Sequence, residues 1–189
     1  PLGVETAVRE HLHADQAPVH YVENSLITGL FGLLCWDAIF APLPGAFFHP
    51  FQSAPADLHS PDFQQRRHAL FAASLAHLDS DAWQHRIRHN WQAKQGIQSP
   101  FVHWSLLTET LLDQALHCLP AAHLRAWFQR LLQDIRANRA GMPDLIQFWP
   151  EQRRYRMIEV KGPGDRLQDN QRRWLEFCNR HGMPVAVCH

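Results

Sequence analysis

The stretch Gly141-Met142-Pro143-Asp144-Leu145-Ile146-Gln147-Phe148-Trp149, continued by Pro150-Glu151-Gln152-Arg153 and Arg154-Tyr155-Arg156-Met157-Ile158-Glu159-Val160-Lys161, decides the fold of this chain. Two runs carrying aromatic and β-branched residues flank four residues of turn character, which predicts a β-hairpin with strands over 145–149 and 154–161. Gly162-Pro163-Gly164 ends the second strand. Centring the hairpin on the Glu151–Gln152 bond sets Asp144 directly opposite Glu159. Directly opposed residues share a face, with Cβ atoms about 4.5–5.5 Å apart. Alternation along the strand brings Lys161 to that same face and turns Val160 into the core. A slip of one residue would oppose Asp144 to Val160 and turn the two carboxylates apart.

Two carboxylates that close repel unless a cation neutralises them, and an all-oxygen pair suits a hard ion, Mg²⁺ or Mn²⁺. An adjacent ammonium can orient or help deprotonate a water and offset charge growing on a phosphoryl group, which phosphodiester hydrolysis requires. The plain alternative is a solvated charge cluster on a hairpin. Against that background Lys161 stands out, because Lys94 is the only other lysine and the remaining basic residues are all arginine.

Outward from the hairpin, Asp169 can cap a helix with Trp174, Leu175 and Phe177 on its apolar side; Gly182 ends it, and Val185-Ala186-Val187 begins a final strand. The C-terminal unit therefore reads β-β-α-β. The N-terminal two thirds read as helices. Asn24 or Ser25 can cap a largely buried helix reaching about Phe40, and further helices are expected from about Asp62 to Leu78, Asp81 to Gln95, Ser105 to Cys118 and Pro120 to Arg139. Gly141 suits the position after the last of these. Between them, Pro42, Pro44, Pro50, Pro55 and Pro61 punctuate a loop of about twenty residues, a length that in a compact domain is usually functional or mobile.

Charge is unevenly spread. Residues 1–124 carry 6 basic and 11 acidic side chains and residues 125–189 carry 12 and 7, so the C-terminal third is the end suited to a polyphosphate partner. Arg166, Arg172 and Arg173 are candidate phosphate contacts there; the alternative is a solvated helix face. Cys35, Cys118, Cys178 and Cys188 lie far apart in apolar surroundings without a C-x-x-C, which points to a reduced, cytoplasmic compartment rather than to disulfides or a thiolate zinc site. His85 and His89 have helical i, i+4 spacing but lack H-E-x-x-H, and Glu109 with Asp113 reads as an exposed acidic helix face. Trp36 and Trp174, on apolar helix faces, are expected in the core. No stretch approaches the roughly 18–20 apolar residues a membrane helix needs, and no export signal is readable. The chain opens without Met, which predicts a fragment with something upstream absent and vector residue at Pro1 to Gly3.

Gly141-Met142-Pro143-Asp144, Ile158-Glu159-Val160-Lys161-Gly162-Pro163, Asp165-Arg166-Leu167 and Gln171 with Trp174 together resemble the VRR-NUC branch of the PD-(D/E)XK nuclease superfamily. The segment Val22-Glu23-Asn24-Ser25 with Leu30-Phe31-Gly32-Leu33-Leu34-Cys35-Trp36-Asp37 is similar to the opening of that domain in the Fanconi-associated nuclease family, in its bacterial version. The resemblance implies an α/β (α+β) fold with a restriction-endonuclease-like core of β-hairpin, helix and further strand, preceded by a largely helical part. Residues 1–20 would form an N-terminal extension and 21–189 the nuclease domain, with a helical insertion at about 42–120. The family core has four strands where three are clear, and Ala46-Phe47-Phe48 is the candidate for the fourth.

The resemblance further implies a Mg²⁺- or Mn²⁺-dependent phosphodiesterase that cuts branched or 5′-flap DNA, trims 5′ to 3′ and serves interstrand-crosslink repair. Asp144 and Glu159 would be metal ligands, the Val160 carbonyl a further ligand, Lys161 the catalytic lysine, and Glu23 an acidic residue completing the metal site. A Glu at a helix N-terminus is also favoured by the dipole alone. Gln171 would hydrogen-bond the catalytic group or DNA, or simply be an exposed polar residue. An upstream DNA-binding region of the same polypeptide would select the substrate. The fragment is expected to be monomeric and to act away from membranes, in the bacterial cytoplasm or in the nucleus of a eukaryotic relative. The competing readings are a stand-alone Holliday-junction resolvase working as a homodimer, against which the long loop and extra helices stand, and a non-catalytic DNA-binding module, against which the Asp144, Glu159, Lys161 set stands.

Overall fold

The computed structural model describes residues 3–189. Of the segment expected to be vector residue, Pro1 and Leu2 lie outside the described residues, while Gly3 precedes the first helix. Along the chain run α1 (Val4–Leu12), β1 (Val19–Tyr21), α2 (Leu26–Leu34), α3 (Trp36–Ile39), α4 (Phe63–Arg66), α5 (His68–Ala76), α6 (Ala82–Ala93), α7 (Glu109–Cys118), α8 (Ala121–Gln133), α9 (Ile135–Asn138), β2 (Leu145–Trp149), β3 (Arg154–Val160), α10 (Asp169–Arg180) and β4 (Val185–Cys188). The four strands form one sheet in the order β1-β2-β3-β4. The first three are antiparallel neighbours, and β4 returns through α10 to lie parallel to β3.

The hairpin has the expected register: Leu145 faces Ile158 and Trp149 faces Arg154, joined by a 3₁₀ turn Pro150–Gln152 and by Arg153 at φ 49. Strand alternation then sorts the side chains. Val19, Leu145, Ile158 and Val160 bury one face, where Val8 and Leu12 of α1 cover them. Ile146, Phe148, Tyr155 and Met157 bury the other face against Leu112 and Leu116 of α7 and Trp127 and Phe128 of α8. Every residue of α2 is buried, as a helix apolar on all sides must be; α6 and α8 pack on it. Trp36 and Trp174 are core residues, as expected.

The fourth strand is not Ala46–Phe48. It is β1, whose Val19 pairs with Gln147 and Tyr21 with Leu145. Ala46–Phe48 lies in a turn-rich loop pinned by Gln52, whose amide donates to the Ala46 and Ala54 carbonyls and accepts from Phe48 N. Three residues after Pro18 are too few for a period of two to register. Because Val19 and His20 belong to the sheet, the boundary expected between residues 20 and 21 falls inside a strand.

Several helices break where a polar side chain captures the backbone or another element. The segment expected from Asp62 to Leu78 is interrupted at Arg67, which is buried and forms a two-pronged pair with Asp57 at 2.7 and 2.8 Å, holding the proline-rich loop down. The helix expected from Ser105 starts at Glu109, because Thr108 Oγ1 accepts from Leu111 N at 3.2 Å. The helix expected to reach Arg139 stops at Asp134, whose carboxylate caps α9 through Ala137 N. The cap of α10 is Gln168 rather than Asp169, in a reciprocal arrangement with Gln171.

Candidate active site

The site assembles where β3 ends. Asp144 precedes β2, and its Oδ2 accepts from Val160 N at 3.0 Å, which fixes the carboxylate against the partner strand. Glu159 is 1% exposed, and among the described residues neither of its carboxylate oxygens has a hydrogen-bond partner. Lys161 Nζ stands 3.5 Å from Glu159 Oε1 and donates to Gln171 Oε1 at 2.8 Å. Gln171 is thus fixed twice, since its Oε1 also accepts from Gln168 N at 2.9 Å in the helix cap. Of the two roles weighed for Gln171, the contact to the lysine is present.

Two further elements converge on Asp144. Val22 N donates to the Asp144 carbonyl at 2.8 Å, and Met142 N donates to Asn24 Oδ1 at 3.1 Å, which lays the Glu23 segment beside the motif. Glu23 is exposed and accepts a hydrogen bond from the Tyr21 hydroxyl, whose pKa that contact raises. On the other side, Gly141 at φ 95 packs on the start of α10: a Cβ there would lie 2.8 Å from the backbone of Asn170. The Trp174 indole N–H is shared by the Asn138 and Ala140 carbonyls at 3.0 and 3.1 Å, clamping the same approach. Gly141→Ala is therefore expected to destabilise the domain by roughly 1–3 kcal/mol, through both the positive φ and the clash. Thermal unfolding checks it; a melting temperature equal to the parent's would show that this close approach does not matter.

The electrostatics are those of a site awaiting positive charge. Burial pushes the Glu159 carboxyl up to about 7, and Asp144 and Glu23 push in the same direction against the pull of Lys161. Burial also raises Asp144, helped by Glu23 and Glu5, while the Val160 N–H opposes the rise. Glu5, on α1, and Tyr21 were not anticipated from sequence. The available signal was the helical spacing of Val4, Val8 and Leu12, of which Val8 and Leu12 seat α1 on the sheet. Two buried oxygens without hydrogen bonds, one of them 3.5 Å from Lys161 Nζ, beside a second carboxylate form an all-oxygen donor set that fits a hard divalent ion. Among the described residues, no three His, Cys, Asp or Glu side chains are gathered as a ligand group, so Glu23 is near the pair without closing on it. The Val160 side chain points into the core under α1.

The arginines divide. Arg166 is exposed in the loop before α10, Arg172 is exposed and lies 3.6 Å from Asp169, and Arg173 is exposed near Arg130, whose guanidinium lies 4.8 Å over the Trp174 ring. His85 and His89 are exposed on α6, and Asp113 pairs with Arg88 while Glu109 faces solvent. All four cysteines are free. Among the described residues no helix is long and apolar enough to cross a membrane.

Residues 79–189 match the family model of the VRR-NUC domain. Over its whole length the chain is 69% identical to the Fanconi-associated nuclease 1 homolog of Pseudomonas aeruginosa, covering 34% of that protein. Over 88% of its length it is 36% identical to Fanconi-associated nuclease 1 of Danio rerio, covering 17% of it. The fold superposes with a TM-score of 0.99, at 70% identity, on a crystal structure of paFAN1 bound to gapped DNA with a 2-nt 5′ flap; the match covers 100% of this chain and 34% of that one. The chain thus spans about a third or less of the length of these relatives.

Proposed function

The chain belongs to the VRR-NUC domain family, and from that premise we propose that it is the catalytic domain of a metal-dependent, structure-selective DNA nuclease. It hydrolyses phosphodiesters near 5′ flaps or other branches, trims 5′ to 3′, and serves interstrand-crosslink repair. The observation that carries this reading is Glu159, buried beside Asp144 with neither oxygen hydrogen-bonded and only the Lys161 ammonium, at 3.5 Å, to offset its charge. Burying one carboxylate beside another, with a single ammonium 3.5 Å away and no hydrogen bond to either oxygen, is costly unless further positive charge is bound there. The similarity to proteins named Fanconi-associated nucleases, and to a fold seen with 5′-flap DNA, supports the choice of substrate.

Asp144 and Glu159, with the Val160 carbonyl, would hold Mg²⁺ or Mn²⁺, and Glu23 would complete the site from its edge. When bound, such an ion supplies neutralisation of the carboxylates and Lewis-acid stabilisation of charge on the phosphate. The remaining work falls to the chain. Lys161, held by Gln171, presents an ammonium to the attacking water and the phosphoryl oxygens, where an oriented charge in a low-dielectric pocket lowers the barrier. Gln171 holds that ammonium at a fixed place, so the cap of α10 positions the catalytic lysine. Arg166, Arg172 and Arg173 supply exposed cations for neighbouring phosphates.

Substrate choice rests with an upstream DNA-binding region of the same polypeptide. The domain itself acts as a monomer, in the cytoplasm of a bacterium or the nucleus of a eukaryotic relative. The experiment is cleavage of 5′-flap DNA by the full-length enzyme under different divalent ions. Turnover is expected with Mg²⁺ or Mn²⁺ and none with Ca²⁺, which prefers looser and more numerous oxygen ligands. Cleavage undiminished by a chelator would defeat the reading.

A further inference from the structure

A cleft of about 510 Å³ opens beside the catalytic motif and has no part in the chemistry above. It is lined from three places: Asn24 ahead of α2, the loop from Ser99 to Trp104, and Arg139 just before Gly141. Asn24 ties the cleft to the site, because its side-chain carbonyl is taken by Met142 N, two residues from Asp144, which leaves its amide N–H groups free to donate. Arg139 is half-buried, lies 5.6 Å over the Phe101 ring and donates to the Pro100 carbonyl. Among the described residues it forms no ion pair.

Trp104 is half-buried and its position is fixed. Its indole N–H donates to the Ile97 carbonyl at 2.7 Å, and its ring lies 6.4 Å from that of Trp36, over which the Lys94 ammonium sits at 5.9 Å. His103, next to it, is exposed. A held aromatic face, an unpaired guanidinium and an amide donor are the set with which proteins grip unpaired nucleotides: the base stacks, the phosphate meets the cation, and no base-edge code is needed. A cavity of this size admits a nucleotide. Paired bases, stacked within a helix, have no free π-face to offer it.

The geometry points to a subsite for one unpaired nucleotide, its base on Trp104 and its phosphate on Arg139, which steadies a single strand next to the Asp144 and Glu159 carboxylates. The inference rests on the reading of this chain as a flap nuclease and adds to it where the unpaired strand lies.

The test uses the full-length enzyme, with binding measured in chelator so that no turnover intervenes. The probes are a 5′-flap DNA carrying 2-aminopurine in the flap and a nicked duplex without a flap. Stacking on Trp104 should quench the 2-aminopurine. Trp104→Ala should abolish the quench and weaken flap binding about 5–150-fold, the range for loss of one stacked base, with a smaller loss on the nicked duplex. Trp104→Phe should keep most of both, which separates stacking from support of the loop. Arg139→Gln should lower the slope of log affinity against log salt by about one. Equal losses on both DNAs in Trp104→Ala, or an unmoved quench, would overturn the subsite. A wild-type enzyme unable to cut flap DNA in Mg²⁺ would overturn the functional reading and the subsite with it. Wild-type cleavage with an unaffected Trp104→Ala variant would overturn the subsite alone.

Discussion

Alanine in place of Lys161 is expected to lower flap cleavage by the full-length enzyme roughly 10²–10³-fold, the usual loss when one oriented electrostatic group leaves an active site. Metal affinity should stay the same or tighten, because the ammonium is not a ligand and stands 3.5 Å from Glu159, where it opposes a second cation. Asp144→Ala should lose both properties, since it removes a proposed ligand, the carboxylate that accepts from Val160 N. Lys161→Arg should not recover the rate. The lysine side chain is buried and directed at a single oxygen of Gln171, and a planar guanidinium is too broad to repeat that contact. Gln171→Ala should fall between, with a loss of roughly 10-fold in kcat and unchanged metal affinity, as expected of a positioning residue. Calorimetric metal titration beside single-turnover cleavage separates these cases. Wild-type rates in Lys161→Ala would remove the lysine from the mechanism.

That such variants can be named from sequence follows from how local the site is. Asp144, Glu159 and Lys161 belong to one hairpin, whose alternation, turn and terminal Gly-Pro-Gly set the register within about twenty residues. Gln171 is reached only through the family resemblance, because the sequence suggests Asp169 as the cap of the next helix whereas Gln168 caps it, with Gln171 three residues on. What escapes is non-local. β1 is three residues long, and its place at the edge of β2 depends on pairing across most of the chain. α1, which brings Glu5 toward Asp144, has an apolar stripe of only Val4, Val8 and Leu12. The breaks at Arg67, Thr108 and Asp134 escape because a side chain captures backbone, or a distant carboxylate, that helical spacing alone would have kept in a helix. The Trp104 cleft has no sequence signature, since its walls come from three segments that meet only in the fold.

Glu159→Gln is expected to stabilise the metal-free domain at pH 8 while abolishing its response to Mg²⁺ or Mn²⁺. In the folded chain the Glu159 carboxyl is pushed from 4.5 to about 7, so its neutral form is the one the fold accommodates. Between those two values the native state binds more protons than the unfolded chain, and stability therefore falls as pH rises. Below 4.5 both states are neutral at this residue and no penalty exists. Above 7 the full penalty applies, roughly 3 kcal/mol for a displacement of that size. Asp144, also raised, tilts stability in the same direction. A glutamine keeps the shape and removes the charge, so its unfolding midpoint in chelator should be flatter between pH 5 and 8 and higher than the parent's at the alkaline end. Added metal reverses the order: the parent gains stability with the logarithm of ion concentration, whereas the glutamine variant, having lost a ligand, gains little. Melting curves at several pH values, with chelator and with Mn²⁺, read both effects. A variant less stable than the parent at pH 8 without metal, or equally stabilised by Mn²⁺, would show that the Glu159 carboxylate does not serve the proposed cation site.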